Sequence, residues 1–69
     1  MKLKSAKKLG HNLKIIRTQK GLSQGDISRK LNVDRSYISS IENARRNPTL
    51  ANIEKLADSL GVSVSILLK

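Results

Sequence analysis

Residues 34–43 bring together side chains that form hydrogen bonds but pack poorly. In an α-helix, at 100° per residue, one face of this stretch would consist of small polar residues and one long basic residue. These residues are Arg35, Ser36, Ser39, Ser40 and Asn43. Serines let a helix backbone approach another surface closely, and the planar guanidinium group of Arg35 matches O6 and N7 of guanine. The pattern favours a helix that contacts base edges in a DNA major groove.

The sequence offers no set of side chains for catalysis or for metal binding. It has one histidine, His11, and no cysteine, so a metal site has no ligand cluster to start from. No nucleophile and base pair, phosphate-binding glycine loop or group of convergent carboxylates is recognisable. With 69 residues, the chain is also too short for separate catalytic and cofactor domains. We therefore expect no enzymatic activity, no cofactor and no small-molecule effector.

Positive charge is concentrated in the first two thirds of the sequence. The formal net charge is +9; residues 1–20 contain seven basic and no acidic residues, residues 21–48 five basic and three acidic, and residues 49–69 two of each. Such a field suits a polyanionic partner. Tyr37 is the only aromatic residue, so the stacking side chains of most RNA and single-strand binding proteins are missing. Double-stranded DNA is the partner that this composition favours.

Short helices joined by tight turns must position these residues. Apolar spacing predicts helices over residues 6–20, 23–31, 34–43 and 49–60, followed by a tail that is either a strand or a helix. The expected inward positions are Leu9, Leu13, Ile16, Ile27, Leu31, Ile38, Ile41, Leu50, Ile53, Leu56, Ala57 and Leu60. The tail 62–69 alternates like a strand, yet Ser63 could cap a short helix. We favour the helix, because a single strand would have no partner.

Turn and cap residues mark the expected ends of the helices. Gly21, Asn32 and Gly61 tolerate the left-handed conformation that ends a helix. The predicted N-caps are Ser23 with Asp26, Asp34 and Thr49. Residues 43–48 include the only proline and should form a loop.

At this level of detail the chain resembles the Cro and phage-repressor family of helix-turn-helix DNA-binding domains. The matching segments are Gly21-Leu22-Ser23-Gln24, Ile27, Leu31, Val33, Ser36-Tyr37-Ile38-Ser39, Ile41-Glu42-Asn43, Arg45-Arg46-Asn47-Pro48 and Gly61-Val62-Ser63-Val64. Three residues depart from the usual family pattern: Ser28 replaces alanine, Asn32 replaces the turn glycine, and Ala44 replaces a glycine after Glu-Asn. A non-glycine residue at positive φ costs on the order of 1 kcal/mol, so Ala44 is the departure with the largest expected effect.

The resemblance implies an all-α, five-helix domain over residues 1–69, with its helix-turn-helix at about 23–43. It implies that bases are contacted by Arg35, Ser36 and Ser40, with Ser39 nearby. It assigns the sugar-phosphate backbone to Gln24, Asn43, Arg45, Arg46 and Asn47, and gives Gln24 a second role in bracing the recognition helix. It also pairs Arg17 with Glu42 in a partly buried structural ion pair.

Proteins of this kind bind as pairs, because two recognition helices can enter successive major grooves about 34 Å apart. We therefore expect a homodimer on a near-palindromic operator. The expected dimer surface is the tail 62–69, where Val64, Ile66, Leu67 and Leu68 exceed what one small core can bury.

Other functions remain open at the sequence level. One alternative is a protein-interaction module, such as an antitoxin or adaptor, and another is a nonspecific DNA-binding protein. A membrane-surface role for the basic first helix is less favoured, because the helix lacks aromatic anchors. With no cysteine and no apolar run long enough to span a membrane, we expect a cytoplasmic protein.

Overall fold

In a computed structural model, which describes residues 3–69, the chain folds into five α-helices and no strand. The helices are α1 (Leu3–Gln19), α2 (Gln24–Leu31), α3 (Arg35–Glu42), α4 (Leu50–Leu60) and α5 (Val64–Leu68). The all-α, five-helix prediction is confirmed, including the helical tail. Helix α1 begins three residues earlier than predicted, and Lys2, which contributes to the N-terminal charge, lies outside the described residues.

The predicted turn residues end the helices. Asn32 adopts φ 58° between α2 and α3, and Gly21 and Gly61 adopt similar values after α1 and α4. Ser23 begins α2 with a reciprocal cap: its Oγ accepts from the Asp26 amide at 2.9 Å, and the Asp26 carboxylate accepts from the Ser23 amide at 2.8 Å. The Ser23 amide, followed by its hydroxyl, holds the pKa of Asp26 below its usual range.

Two of the N-terminal caps are weaker than the sequence suggested. Asp34 and Ser63 occupy the N-cap positions of α3 and α5, but neither side chain bonds to its helix. The Ser63 hydroxyl instead lies 2.9 Å from that of Ser65. Thr49 does cap α4 through its side chain, at 3.2 Å from the Asn52 amide.

The core lies where α1, α2, α3 and α4 meet, and α5 closes one end against α1 and α4. Its buried apolar members are Leu9, Leu13, Ile27, Leu31, Ile38, Ile41, Ile53, Leu56, Ala57, Leu60 and Leu67. Leu50 was predicted to face this core, and that prediction is wrong, because 64% of the residue is exposed. It is the first residue of α4, and the first buried position of that helix comes at Ile53.

Gly10 allows α1 and α3 to approach closely. A β-carbon built at this position would lie 2.7 Å from the carbonyl oxygen of Glu42 and closer still to that of Ile41. Both neighbours are backbone atoms at the end of α3, so no side-chain rotation can make room. The position of α3 relative to α1 therefore depends on the missing side chain.

We expect Gly10→Ala to lower the free energy of unfolding by about 2 kcal/mol, within the usual range for overpacking. The clash outweighs the roughly 1 kcal/mol by which alanine exceeds glycine in helix propensity. Urea denaturation measures the difference. Gly25→Ala in α2 is the matched control, because its new β-carbon would meet first the flexible end of Arg29, at 3.2 Å. A Gly10→Ala protein as stable as the Gly25→Ala protein would contradict the close contact.

Candidate nucleic-acid interface

The outer face of α3 carries the residues predicted to contact bases. Arg35, Ser36 and Asn43 are exposed, whereas Ser39 and Ser40 are half-buried. The Ser40 hydroxyl donates to the carbonyl oxygen of Tyr37 at 2.7 Å, so its remaining capacity is as an acceptor. The most accessible donors along this face are therefore Arg35 and Ser36.

A buried network fixes α3 from behind. Arg17 Nε donates to Glu42 Oε2 at 2.6 Å and Arg17 Nη2 donates to Glu42 Oε1 at 3.1 Å, which forms the ion pair implied by the resemblance. A third donor, Arg17 Nη1, bonds to the Leu22 carbonyl at 2.8 Å. The hydrogen bonds to Glu42 raise the pKa of Arg17 against the opposing effect of burial. The network joins α1, the turn before α2 and the end of α3.

Gln24 connects α2 to the same carboxylate. Its Nε2 donates to Glu42 Oε1 at 3.0 Å, so this residue braces α3 at the position where the resemblance places it. The contact of Gln24 with a phosphate stays a prediction. Because Gln24 is the first residue of α2, it lies beside the helix N-terminus, where backbone amides favour an anion.

The loop after α3 presents the basic residues assigned to the DNA backbone. Arg45, Arg46 and Asn47 are all exposed. Ala44 adopts φ 58°, the left-handed conformation in which the family pattern has glycine. The Arg45 amide then donates to the Ser40 carbonyl at 2.8 Å, which closes the loop back onto α3.

Arg46 is held beside α3 by contacts that the sequence did not indicate. Its guanidinium carbon lies 5.1 Å from the centre of the Tyr37 ring, within the range of a cation–π interaction. The Tyr37 hydroxyl accepts from Asn52 Nδ2 at 2.7 Å, which ties the ring to α4. Tyr37 is half-buried against the core, and the role of Asn52 in holding it had no sequence signal.

The tail contributes less apolar surface than the sequence suggested. Leu67 is fully buried in the domain's own core, so its predicted place in a dimer surface is wrong. Val64 is half-buried against the same core. Ile66 and Leu68 remain 41% and 40% exposed. Only the outer side of α5 is therefore accessible to a partner.

Within residues 3–69 we find no cluster of three or more histidine, cysteine or acidic side chains that could hold a metal ion. None of the helices in this range is long and apolar enough to cross a membrane.

Two short helices, a turn at Asn32 and an exposed polar face on the second helix define a helix-turn-helix protein. A family model described as helix-turn-helix matches residues 13–67. The chain belongs to this family of DNA-binding transcription regulators, in the subgroup of Cro-like proteins, phage repressors and controller proteins. Proteins of the family are generally not enzymes.

Similar proteins carry names of transcription factors and controllers. A hypothetical transcription factor from Neisseria meningitidis serogroup B is 43% identical over 60 residues, which cover 87% of this chain but 57% of the relative. Control protein C.MunI from a Mycoplasma species is 43% identical over 61 residues, covering 87% of this chain and 82% of that protein. The chain therefore spans little more than half the length of the first relative and most of the second.

A solved complex shows the same fold on DNA. The crystal structure of the restriction-modification controller protein C.Esp1396I is described as a tetramer in complex with its natural 35-base-pair operator. It matches with a TM-score of 0.77 and 36% sequence identity, covering 93% of this chain and 95% of that one.

Proposed function

We propose that this protein is a sequence-specific regulator of transcription that binds double-stranded DNA as a homodimer, with α3 in the major groove. The observation that carries the proposal is the division between the two sides of α3. Its inner side is fixed by Ile38, Ile41 and the buried Glu42 carboxylate, while Arg35 and Ser36 on its outer side are exposed. A rigidly held helix with an exposed polar face suits readout of base edges.

The side chains divide into two groups by reach and chemistry. Arg35, Ser36, Ser39 and Ser40 lie along α3, and we assign them to the bases. Gln24 at the start of α2, Asn43 at the end of α3, and Arg45, Arg46 and Asn47 in the following loop flank that face, and we assign them to phosphates. Phosphate contacts set the register of the helix in the groove, and base contacts provide sequence preference.

We assign the dimer surface to the outer side of α5. Ile66 and Leu68 are exposed there, and residues 49–69 carry no net charge, so two copies can approach without repulsion. The tetrameric operator complex of C.Esp1396I supports assembly on DNA for a protein of this family. Pairing would place two recognition helices about one helical turn apart, or about 34 Å.

Selection of bound duplexes from a random pool tests the proposal in one experiment. We expect a near-palindromic consensus with two half-sites about 10 base pairs apart and a guanine in each half-site. A consensus with a single, unpaired half-site would contradict the dimer. Binding without any consensus would favour a nonspecific DNA-binding protein, and failure to bind duplex DNA would favour a protein-interaction module.

A further inference from the structure

Helix α1 exposes a set of lysines that the proposed interface does not use. They are Lys4, Lys7, Lys8 and Lys14, all exposed, and α1 contains no acidic residue. The ion pairs within residues 3–69, Arg17 with Glu42 and Arg29 with Asp26, involve none of them. A cluster of like charges without counter-charges repels itself, and a bound anion would relieve that repulsion.

Contacts of α1 show which of its edges faces the proposed DNA surface. Gly10 lies against the carbonyl groups of Ile41 and Glu42 at the end of α3. Two turns later, Arg17 bonds to Glu42 and to the Leu22 carbonyl just before α2. This edge of α1 therefore runs from the end of α3 to the start of α2, between the positions we assigned to phosphates at Asn43 and Gln24.

The lysines divide between this edge and the opposite one. At 100° per residue, Lys14 lies about 40° and Lys7 about 60° around the helix from Gly10. By the same geometry Lys4 and Lys8 lie about 120° and 160° from Gly10. Their side of the helix is that of Asn12, whose Nδ2 donates to the Leu67 carbonyl of α5 at 2.9 Å.

We infer that Lys7 and Lys14 form a second row of contacts to DNA phosphates, beside the row provided by Gln24, Asn43 and the loop. Lys14 lies between the ends of α2 and α3, and Lys7 extends the row past the end of α3. Lysine is a flexible point charge without the planar fork of arginine, so it suits a phosphate better than a base edge. The inference rests on the proposed function, because it requires duplex DNA on the α3 face.

The experiment compares two double variants that change the net charge equally. Lys7→Gln with Lys14→Gln removes the proposed row, and Lys4→Gln with Lys8→Gln removes the same charge from the opposite edge. Binding to a selected operator and to a random duplex is measured over a series of salt concentrations. For each phosphate that a removed lysine had neutralised, the slope of log K against log salt should weaken by about 0.9, which is about eightfold in affinity at 0.1 M salt. The decrease in affinity of the Lys7 and Lys14 variant should be equal on both duplexes.

Equal slopes for the two double variants would overturn the inference, because the lysines would then act only through net charge. This failure is distinct from failure of the proposed function, in which the unmodified protein itself would select no duplex consensus. Vesicles containing phosphatidylserine form the last arm. If removal of Lys7 and Lys14 abolished vesicle binding but left duplex binding unchanged, the inference would be overturned in favour of a membrane surface. Thermal unfolding of both variants checks that they remain folded.

Discussion

Replacing Glu42 by alanine should unfold a large share of the protein. The change leaves Arg17, only 8% exposed, without its carboxylate and removes the acceptor of Gln24. Stranding one partner of a buried ion pair costs about 3–5 kcal/mol. A domain of this size has a total stability of about 3–10 kcal/mol, so the decrease approaches the whole. Urea denaturation followed by circular dichroism measures the effect.

Two further variants separate this cause from others. Arg29→Ala removes the exposed ion pair with Asp26 and should cost at most about 1 kcal/mol. Arg17→Met combined with Glu42→Leu removes both buried charges and should recover part of the stability that Glu42→Ala removes. A Glu42→Ala protein that unfolds at the same urea concentration as Arg29→Ala would show that the pair is not a structural one. Loss of DNA binding by Glu42→Ala must be judged on the folded fraction alone.

The local structure of this protein could be predicted because short-range chemistry determines it. Gly21, Ser23 with Asp26, Asn32, Thr49 and Gly61 act within four residues of their own positions, and each ends or begins a helix as expected. Spacing also identified the buried positions of α2 and α3. Periodicity failed where it assigned a face without showing how far the core extends.

The errors at Leu50 and Leu67 illustrate that limit. Leu50 continues the apolar stripe of α4 towards its N-terminus, yet it lies beyond the core and is exposed. Leu67 was assigned to a dimer surface because the tail contained more apolar residues than a small core seemed able to hold. The structure places α5 against α1 and α4 and buries Leu67 in the core. Neither outcome depends on local sequence; both depend on where distant helices lie.

The site shows the same distinction. The Arg17–Glu42 pair joins residues 25 positions apart, and only the family resemblance indicated it. The contact of Asn52 with Tyr37, whose ring lies under Arg46, had no signal in the residues themselves, because an asparagine in a helix is unremarkable. Gly10 does carry a signal in the sequence. A glycine inside a helix lowers its stability, so its presence indicates a close approach by another part of the backbone.

Replacing Arg35 by alanine should reduce the ability of the protein to distinguish its operator from other DNA. The guanidinium group is exposed on α3, and removal of a bidentate contact with guanine costs about 1–3 kcal/mol in each half-site. The preference for guanine should disappear at one position of each half-site and persist elsewhere. Affinities for the selected operator and for single-base variants of it, measured at one salt concentration, give the result.

Arg46→Ala is the matched control, because it removes the same charge from an exposed arginine in the adjoining loop. It should weaken binding to all sequences alike, since phosphate contacts carry no sequence information. It should also free the Tyr37 ring while leaving the hydrogen bond from Asn52 in place, so α3 keeps its position. If Arg35→Ala instead reduced affinity equally for operator and random DNA, Arg35 would be a backbone contact. Recognition would then have to depend on the serines of α3 or on the shape of the DNA.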